Sequence, residues 1–415
     1  MRETREENDA FREVPIAQVM AEFHDGPHAT PKPAASGPVF LGIKNITTDG
    51  RLDLSTIRHI DESDFRRWTR RVMPQKDDVI FTYEATLHRY ALIPDGFRGC
   101  LGRRLALIRP RRDIVDPKFL HLALRGPEWR RVVEERVLAG ATVDRVPLID
   151  FPNFPISIPS LDCQRRIAAV LGAFDELIDI NERRIELLED LARSVYREWF
   201  VRFRFPRRSD EPAGTDPPGW TRRPLFDLAD VGFGYSFKSR GFSATGPHAV
   251  VRIRDVPKGM TDTFTEEVAP ERYAVRDGDV LVGMDGHFYV NQWSGGDAWL
   301  NQRVARLRPK QGISARHLML AVEAPIKSWN DAIVGTTVAH LGKRHLEAIQ
   351  LPMPPNDVLC EATKAFSAFG DELLLLLKLN RRLASTRDLL LPRLVTGHLD
   401  ISDIDLGDLL PPESD

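Results

Sequence analysis

The feature that most constrains this chain is a long amphipathic helix written twice. Around "NERRIELLEDLARSVYREWF" (Asn181 to Phe200), placing Ile167 at heptad position a puts Phe174, Asn181, Leu188 and Val195 at a, and Val170, Leu177 and Leu191 at d. Arg184 is a lapse in that frame, partly covered by Ile185. In the second helix Phe366, Leu373, Asn380 and Leu394 take a, and Phe369, Leu376, Leu383 and Leu390 take d. Such a seam needs a partner helix. Each seam carries one Asn at an a position, where a buried amide costs stability but fixes register, because slipped pairing strands it. Two such helices in one chain are expected to pair with each other, antiparallel if the two halves are related by a pseudo-twofold. The run from Asp162 to Phe200 would extend about 58 Å, the dimensions of a spacer.

The sequence before each helix also repeats. "GCLGRRLALIRP" (Gly99 to Pro110) matches "AWLNQRVARLRP" (Ala298 to Pro309), pairing Leu101 with Leu300, Arg104 with Arg303 and Ala106 with Ala305. "QKDDVIFT" (Gln75 to Thr82) parallels "RDGDVLVG" (Arg276 to Gly283), an acidic turn opening a β-branched strand in each case. "GPHATP" at Gly26 and "GPHAVV" at Gly246 are followed by "IKNI" and "IRDV", and "GATVDRVPLIDFPNFPISIP" from Gly140 matches "GTTVAHLGKRHLEAIQLPMP" from Gly335. The order never changes, so each half has one plan.

This predicts an α+β chain: two globular domains in pseudo-twofold repeat, separated by two long helices forming an antiparallel intramolecular coiled coil. Its expected parts are a first globular domain (1–160), helix (161–205), linker (206–218), second globular domain (219–355), helix (356–397) and acidic tail (398–415). Short β-branched runs and a helix over Lys118 to Val137 fit a mixed fold.

Composition narrows the function. No run approaches the ~18 apolar residues of a membrane span, and the charged N-terminus lacks the apolar core of a signal peptide, so a cytoplasmic protein is expected. Three scattered cysteines (Cys100, Cys163, Cys360) and no CxxC pair argue against a disulfide framework or a zinc site and read as small buried apolar residues. The net charge of −2 hides an asymmetry: the tail's six acids, removed, leave +4. The positive charge is mostly Arg, clumped at Arg66 to Arg71, Arg103 to Arg112 and Arg202 to Arg208, which suits phosphate and base-edge contact.

Catalytic motifs are missing from the sequence. There is no Asn/Asp-Pro-Pro-Tyr/Phe tetrapeptide, no GxxxxGK[ST] loop and no His pair at metal-ligand spacing on a plausible helix, and "GFGYSF" (Gly232 to Phe237) lacks the third Gly of a nucleotide loop. Two readings stay open: a DNA-binding protein, or a protein-assembly scaffold whose coiled coil spaces two polypeptide-binding domains and which does not read DNA sequence.

"IPSLDCQRRIAAVLGAFDELIDINERRIELLEDLARSVYREWF" resembles the helical region of DNA specificity subunits of type I restriction-modification systems. The matching elements are Pro159, Gln164-Arg165-Arg166-Ile167, Asn181 and Trp199-Phe200. The second copy has Pro354-Pro355, Asn380 and "LLLPRLVTG", but reads "CEATKAF" where Gln-Arg-Arg-Ile is expected. "LVGMDGHFYVNQW" (Leu281 to Trp293) resembles a strand-loop-strand of the family's target recognition domains. The resemblance implies that each globular domain reads half of a split sequence in double-stranded DNA, that the helices set the gap and dock two methyltransferase subunits, and that a restriction/translocase subunit can join. It implies no cofactor in this chain; S-adenosylmethionine, and ATP with Mg, would belong to the partner subunits.

Base readers present Arg, Lys, Asn, Gln and aromatic groups from loops. In the first domain the candidates are Lys44, Asn45, Arg51, His88, Arg89, Tyr90, Arg103 and Arg104. In the second they are Lys238, Arg240, Arg252, Arg254, Lys258, His287, Tyr289, Asn291, Gln292, Gln302 and Arg303. The equivalence of Arg104 and Arg303 could equally mean a shared structural salt bridge. The candidates for helix pairing or partner docking are Ile167, Phe174, Asn181, Leu188, Val195, Phe366, Leu373, Asn380, Leu383 and Leu390.

Overall fold

The computed structural model describes residues 11–138, 143–206, 218–310, 312–332, 340–402 and 404–407. The interior of the expected linker, the tail residue Asp403 and everything from 408, and the Gly140 and Gly335 ends of one repeat match lie outside these residues. The chain forms two compact units, Met1–Leu177 with Leu383–Asp415, and Ile178–Arg382.

Unit 1 is built from β1 (Arg12–Pro15), β2 (Met20–Asp25), β3 (Ala34–Leu41), β4 (Arg58–His59), β5 (Val79–Thr82), β6 (Tyr90–Leu92), β7 (Gly99–Leu101), β8 (Leu105–Pro110), α1 (Pro117–Arg125), α2 (Pro127–Glu134), β9 (Pro155–Ile158) and the first half of α3 (Leu161–Tyr196). An antiparallel sheet runs in the order β2-β8-β5-β6, and a second runs β4-β3-β7 with β3 and β7 parallel. β1 pairs with β9. All four residues of β5, "VIFT", are buried, so this short strand carries no polar face and sits centrally with cover on both sides. Cys100 is buried as well, which pushes its thiol up to about 12, as the sequence reading expects; that reading is corrected for Cys163, which is half-buried, and for Cys360, which is exposed.

Unit 2 repeats the plan. β10 (Thr221–Pro224) pairs with β19 (Gln350–Met353); β11 (Ala229–Phe233), β18 (Val304–Pro309), β15 (Val280–Gly283) and β16 (Val290–Gln292) form the antiparallel sheet. β13 (Phe264–Thr265), β12 (His248–Val251) and β17 (Ala298–Leu300) form the second sheet, again with a parallel central pair, and β14 (Ala274–Val275) extends it. Its longer helices are α4 (Ala315–Ala332), the second half of α3 and most of α5 (Asn356–Val395).

This topology explains the identical Arg-Pro that closes the best repeat match. Arg109 donates through Nε and one terminal nitrogen to both oxygens of Asp78, at 3.0 and 2.9 Å, and Arg308 does the same to Asp279 at 2.8 and 2.7 Å. Both aspartates are buried and also accept the backbone N–H three residues before them, so the acidic turn that opens β5 or β15 is bolted to the neighbouring strand. Such fork-on-carboxylate pairing raises the pKa of both arginines. These arginines are structural.

Two expectations are corrected. The helix expected over Lys118 to Val137 is two helices, because Gly126 is extended (φ −70°, ψ 160°) and Pro127 cannot donate to a continuing helix. The match of "GPHA" at Gly26 and Gly246 is not a structural equivalence. Gly26 follows β2, whereas Gly246 precedes β12, the counterpart of β3. The adjoining match is sound: "IKN" and "IRD" are the same single 3-10 turn after the parallel strand.

Within each unit α3 and α5 run antiparallel. In unit 2, Asn181 meets Asn380 and Arg184 meets Glu372, while Ala192 and Phe200 share a core with Phe366. In unit 1, Arg387 meets Asp175, and Ile167, Ala168 and Leu171 share a core with Leu391 and Leu394. The seam of α5 follows the expected frame, with Phe366, Leu373 and Leu376 buried. On α3 two of the expected d residues are corrected: Leu177 and Leu191 are about half exposed, Val170 is partly buried, and Leu171, Ile178 and Ala192 are buried. The partner's direction decides this. Read forward, α5 steps by three from Leu373 to Leu376 and by four to Asn380; α3 lies reversed, so from Asn181 its seam steps by four to Ile185 and by three to Leu188.

The Gln-Arg-Arg-Ile motif is used inside unit 1. Gln164 is fully buried; its Oε1 accepts from the Asp116 N–H at the start of α1, and its Nε2 donates to the carbonyls of Ile114 and Pro159. Arg166 donates to the carbonyls of Ile401, Ser402 and Ile404, clasping the segment after α5. In α5 the equivalent place is Thr363 to Phe366: Thr363 donates to the Gly312 carbonyl, and Phe366 fills the core position of Ile167. The sequence departure keeps the anchoring role with different chemistry.

Candidate nucleic-acid interface

In each unit three loops meet at one end of the antiparallel sheet. In unit 1 the Tyr83 N–H donates to the Arg104 carbonyl (3.1 Å), Gly26 to Leu105 (2.7 Å) and Val146 to Tyr83 (2.8 Å). In unit 2 the same bonds run from Met284 to Arg303 (2.8 Å), Gly234 to Val304 (3.2 Å) and Leu341 to Met284 (2.7 Å). The loops pack too closely for side chains at their contact. A Cβ on Gly26 would stand 2.2 Å from the Gly102 carbonyl oxygen, and one on Gly234 1.9 Å from that of Asn301.

Arg104 and Arg303 occupy the corner between the sheets with φ of +83° and +73°. Non-glycine residues rarely adopt this region, and it costs about 1–2 kcal/mol. Arg104 Nε donates to Glu84 Oε1 at 2.9 Å, and Arg303 Nε lies 3.2 Å from Asp285 Oδ2. The shared salt bridge left open by the sequence is therefore present in both units. Neighbouring Arg103 and Gln302 are exposed; Gln302 Oε1 accepts from Ser236.

The other first-unit candidates divide. Lys44 is exposed, and Arg51 pairs with Asp49 at 3.2 Å. Asn45 is buried, accepting from Gly42 N–H and donating to the carbonyls of Asp53 and Thr56, so it braces the turn after β3 and has no reach outward. Arg89 donates to the Ile46 carbonyl in the same turn. Tyr90 is core: its hydroxyl accepts from Trp129 Nε1, and burial drives its pKa up. His88 sits 3.7 Å from Glu134 with its pKa lowered by burial and then by Arg130, so it faces α2 as a neutral ring.

In unit 2, Lys238, Arg240 and Lys258 are exposed on the loops flanking β12. Arg252 lies over the Phe242 ring at 5.4 Å, and Arg254 donates to Asp262 and Thr263. Asn291 donates to the Pro257 carbonyl and Gln292 to that of Gly278, so both amides are engaged by backbone. His287 and Tyr289 are exposed, with ring centroids 4.5 Å apart, on the loop that also carries Asp285. The structure thus brings Gln302, Arg303, His287 and Tyr289 to one end. Sequence reasoning missed Glu84, Asp285 and His340. Its available signal was that an acid stands two residues past β5 and β15 alike.

A model of the type I restriction modification DNA specificity domain matches residues 68–190 and 217–381. The chain belongs to this family. It is 35% identical over 138 residues to the specificity subunit of the Escherichia coli type I restriction enzyme EcoBI, covering 33% of this chain and 29% of that protein. It is 22% identical over 372 residues to the MjaIX specificity subunit of Methanocaldococcus jannaschii, covering 84% of this chain and 83% of that one. The crystal structure of a type I restriction-modification S subunit from M. genitalium shares the fold at a TM-score of 0.58 and 16% identity, covering 93% of this chain and 96% of that one. The two matched stretches fall one in each half of the chain, as do the two α+β units. Among the described residues no helix is long and apolar enough to cross a membrane, and no group of three or more His, Cys, Asp or Glu could hold a metal ion.

Proposed function

We propose that this chain is the DNA-reading subunit of a type I restriction-modification complex, each unit reading one half of a split double-stranded sequence. The observation that carries the reading is the duplicated loop cluster, in which Arg104 and Arg303 stand at the same strained corner of the same topology. Two readers of one design suit a bipartite site, and arginine is the side chain best matched to guanine edges and phosphate. The chain contributes recognition and no bond-making chemistry; methyl transfer from S-adenosylmethionine, and ATP- and Mg-dependent restriction if such a subunit joins, belong to its partners.

Methyltransferase subunits dock on the helices in this reading. Support comes from unit 2, where Ile180, Leu187 and Leu191 on α3 and Leu375 and Leu379 on α5 are 42–69% exposed although the seam beneath is filled. Exposed leucines at helical spacing suit a further helix as partner.

Long-read mapping of adenine methylation in cells expressing the chain with its methyltransferase subunits tests this. A split methylated sequence is expected, and a continuous one would contradict two readers. The purified chain alone should transfer no methyl group.

A further inference from the structure

The strained corners of the two units carry more than their location. In unit 1 Arg104 Nε donates to the Glu84 carboxylate, and in unit 2 Arg303 forms an ion pair with Asp285 whose shortest contact is Nε to Oδ2 at 3.2 Å. Among the described residues no hydrogen bond engages the terminal nitrogens of either arginine, and the shortest ion-pair contact of each runs through Nε. This contrasts with Arg109 and Arg308, whose carboxylates take Nε together with a terminal nitrogen and leave no open fork. A guanidinium drawn to its carboxylate on the Nε side is restricted in orientation while its terminal pair remains able to donate two parallel hydrogen bonds. That pair matches the O6 and N7 acceptors on the major-groove edge of guanine.

The carboxylate is itself positioned. Asp285 Oδ1 accepts from His340 Nδ1 at 2.5 Å, and the backbones of Asp285 and His340 form a bridge. In unit 1 the bridging partner of Glu84 is Arg145, the repeat counterpart of His340, which lies over the Tyr83 ring at 5.7 Å. A left-handed backbone at an arginine, kept twice, is strain of the kind that persists where surrounding structure over-determines it.

We propose that Glu84 and Asp285 are positioning residues for base reading, each presenting the terminal nitrogens of Arg104 or Arg303 to one guanine in its own half-site. This rests on the DNA-reading function proposed above. His340 steadies Asp285, and Arg145 stands in the corresponding place beside Glu84. The carboxylates touch no base themselves; their negative charge also keeps the corner from gripping phosphate indiscriminately.

The experiment is methylation mapping on host genomic DNA with the assembled methyltransferase complex, comparing wild type with Asp285→Asn, Arg303→Lys, Glu84→Gln and Arg104→Lys. Asp285→Asn and Arg303→Lys should relax the same single guanine of one half-site, lowering its preference about 5- to 100-fold and leaving the other half unchanged. Glu84→Gln and Arg104→Lys should do so in the other half. Lysine keeps the charge but loses the fork, so an effect of Arg→Lys separates guanine reading from phosphate attraction. Variants that unfold at lower temperature yet methylate an unaltered sequence would show a merely structural brace and overturn the proposal. So would a carboxylate variant and its arginine variant that relax different positions. If Asp285→Asn abolishes methylation outright, Arg303→Lys decides the same question for that unit. A wild-type complex that methylates without sequence preference would instead refute the underlying DNA-reading function.

Discussion

Asn181 donates from Nδ2 to the Oδ1 of Asn380 at 2.8 Å, and Asn380 donates in turn to the Ile178 carbonyl at 3.3 Å. One hydrogen bond joins the two amides across the seam and the second Asn anchors to backbone, and only one alignment of the helices lets them do so. Asn181→Leu alone should destabilise the protein by about 1–2 kcal/mol, because it strands part of the Asn380 amide. The Asn181→Leu/Asn380→Leu pair should recover that loss, since a filled apolar layer is commonly at least as stable as a buried polar one. Urea unfolding of the four proteins of the double-mutant cycle gives the coupling; additive effects would show that the pair carries no register information.

His317 is 1% exposed, with its Nδ1 unpartnered and the Phe200 ring 4.3 Å away. It occupies the place of Phe119 in unit 1: His317 N–H donates to the Ser314 side chain as Phe119 N–H does to Asp116. Replacing His317 by Phe should therefore raise stability by about 1–2 kcal/mol by removing an unsatisfied buried nitrogen. Denaturant unfolding at pH 7 reads this directly.

Burial lowers the pKa of both His317 and His121 from 6.5 to about 3. Below pH 6.5 the unfolded chain takes up protons on these rings that the folded chain does not. Their contribution is thus fully present above pH 6.5 and is lost as pH falls towards 3. Each should cost about 1 kcal/mol between pH 7 and pH 5.5, and His317→Phe should flatten its share of the slope. Unfolding curves across this range measure it.

Arg166→Ala removes the donors that clasp the carbonyls of Ile401, Ser402 and Ile404. The segment after α5 should then open locally, with faster amide exchange over 398–407 and a global loss of about 1–3 kcal/mol. Unchanged exchange there would mean that core packing of Ile401, which is buried, holds the segment without the arginine.

Leu187 is 69% exposed on α3, and Leu191 is 50% exposed. Substituting both by Asp should leave thermal unfolding of the isolated chain nearly unchanged, as surface substitutions do. Assembly with methyltransferase subunits on size-exclusion chromatography should weaken tenfold or more. Intact assembly would place the docking surface elsewhere.

Much of this architecture is legible in the sequence because it depends on local or short-range pattern. The heptad steps around Asn181 and Asn380, the β-branched runs after "QKDD" and "RDGD", and the shared "RP" endings report helix, strand and duplication without knowledge of neighbours. The candidate readers were less legible. Asn45 and Tyr90 belong to reader residue types, yet one is turned into its own loop and the other into the core. An amide or a hydroxyl looks the same in sequence whether its partner is backbone or solvent.

By itself the sequence determined the two α+β units, the paired helices and the matched asparagines, since periodicity and repetition are properties of order along the chain. Only the tertiary structure decided which face of α3 is buried, because Val170 and Leu171, or Leu177 and Ile178, are equally apolar and the reversed partner makes the choice. It also decided that Arg109 and Arg308 are locked in full forks while Arg104 and Arg303 keep theirs open. A charge is available or consumed according to what stands beside it, and residues far apart in the chain supply that neighbour.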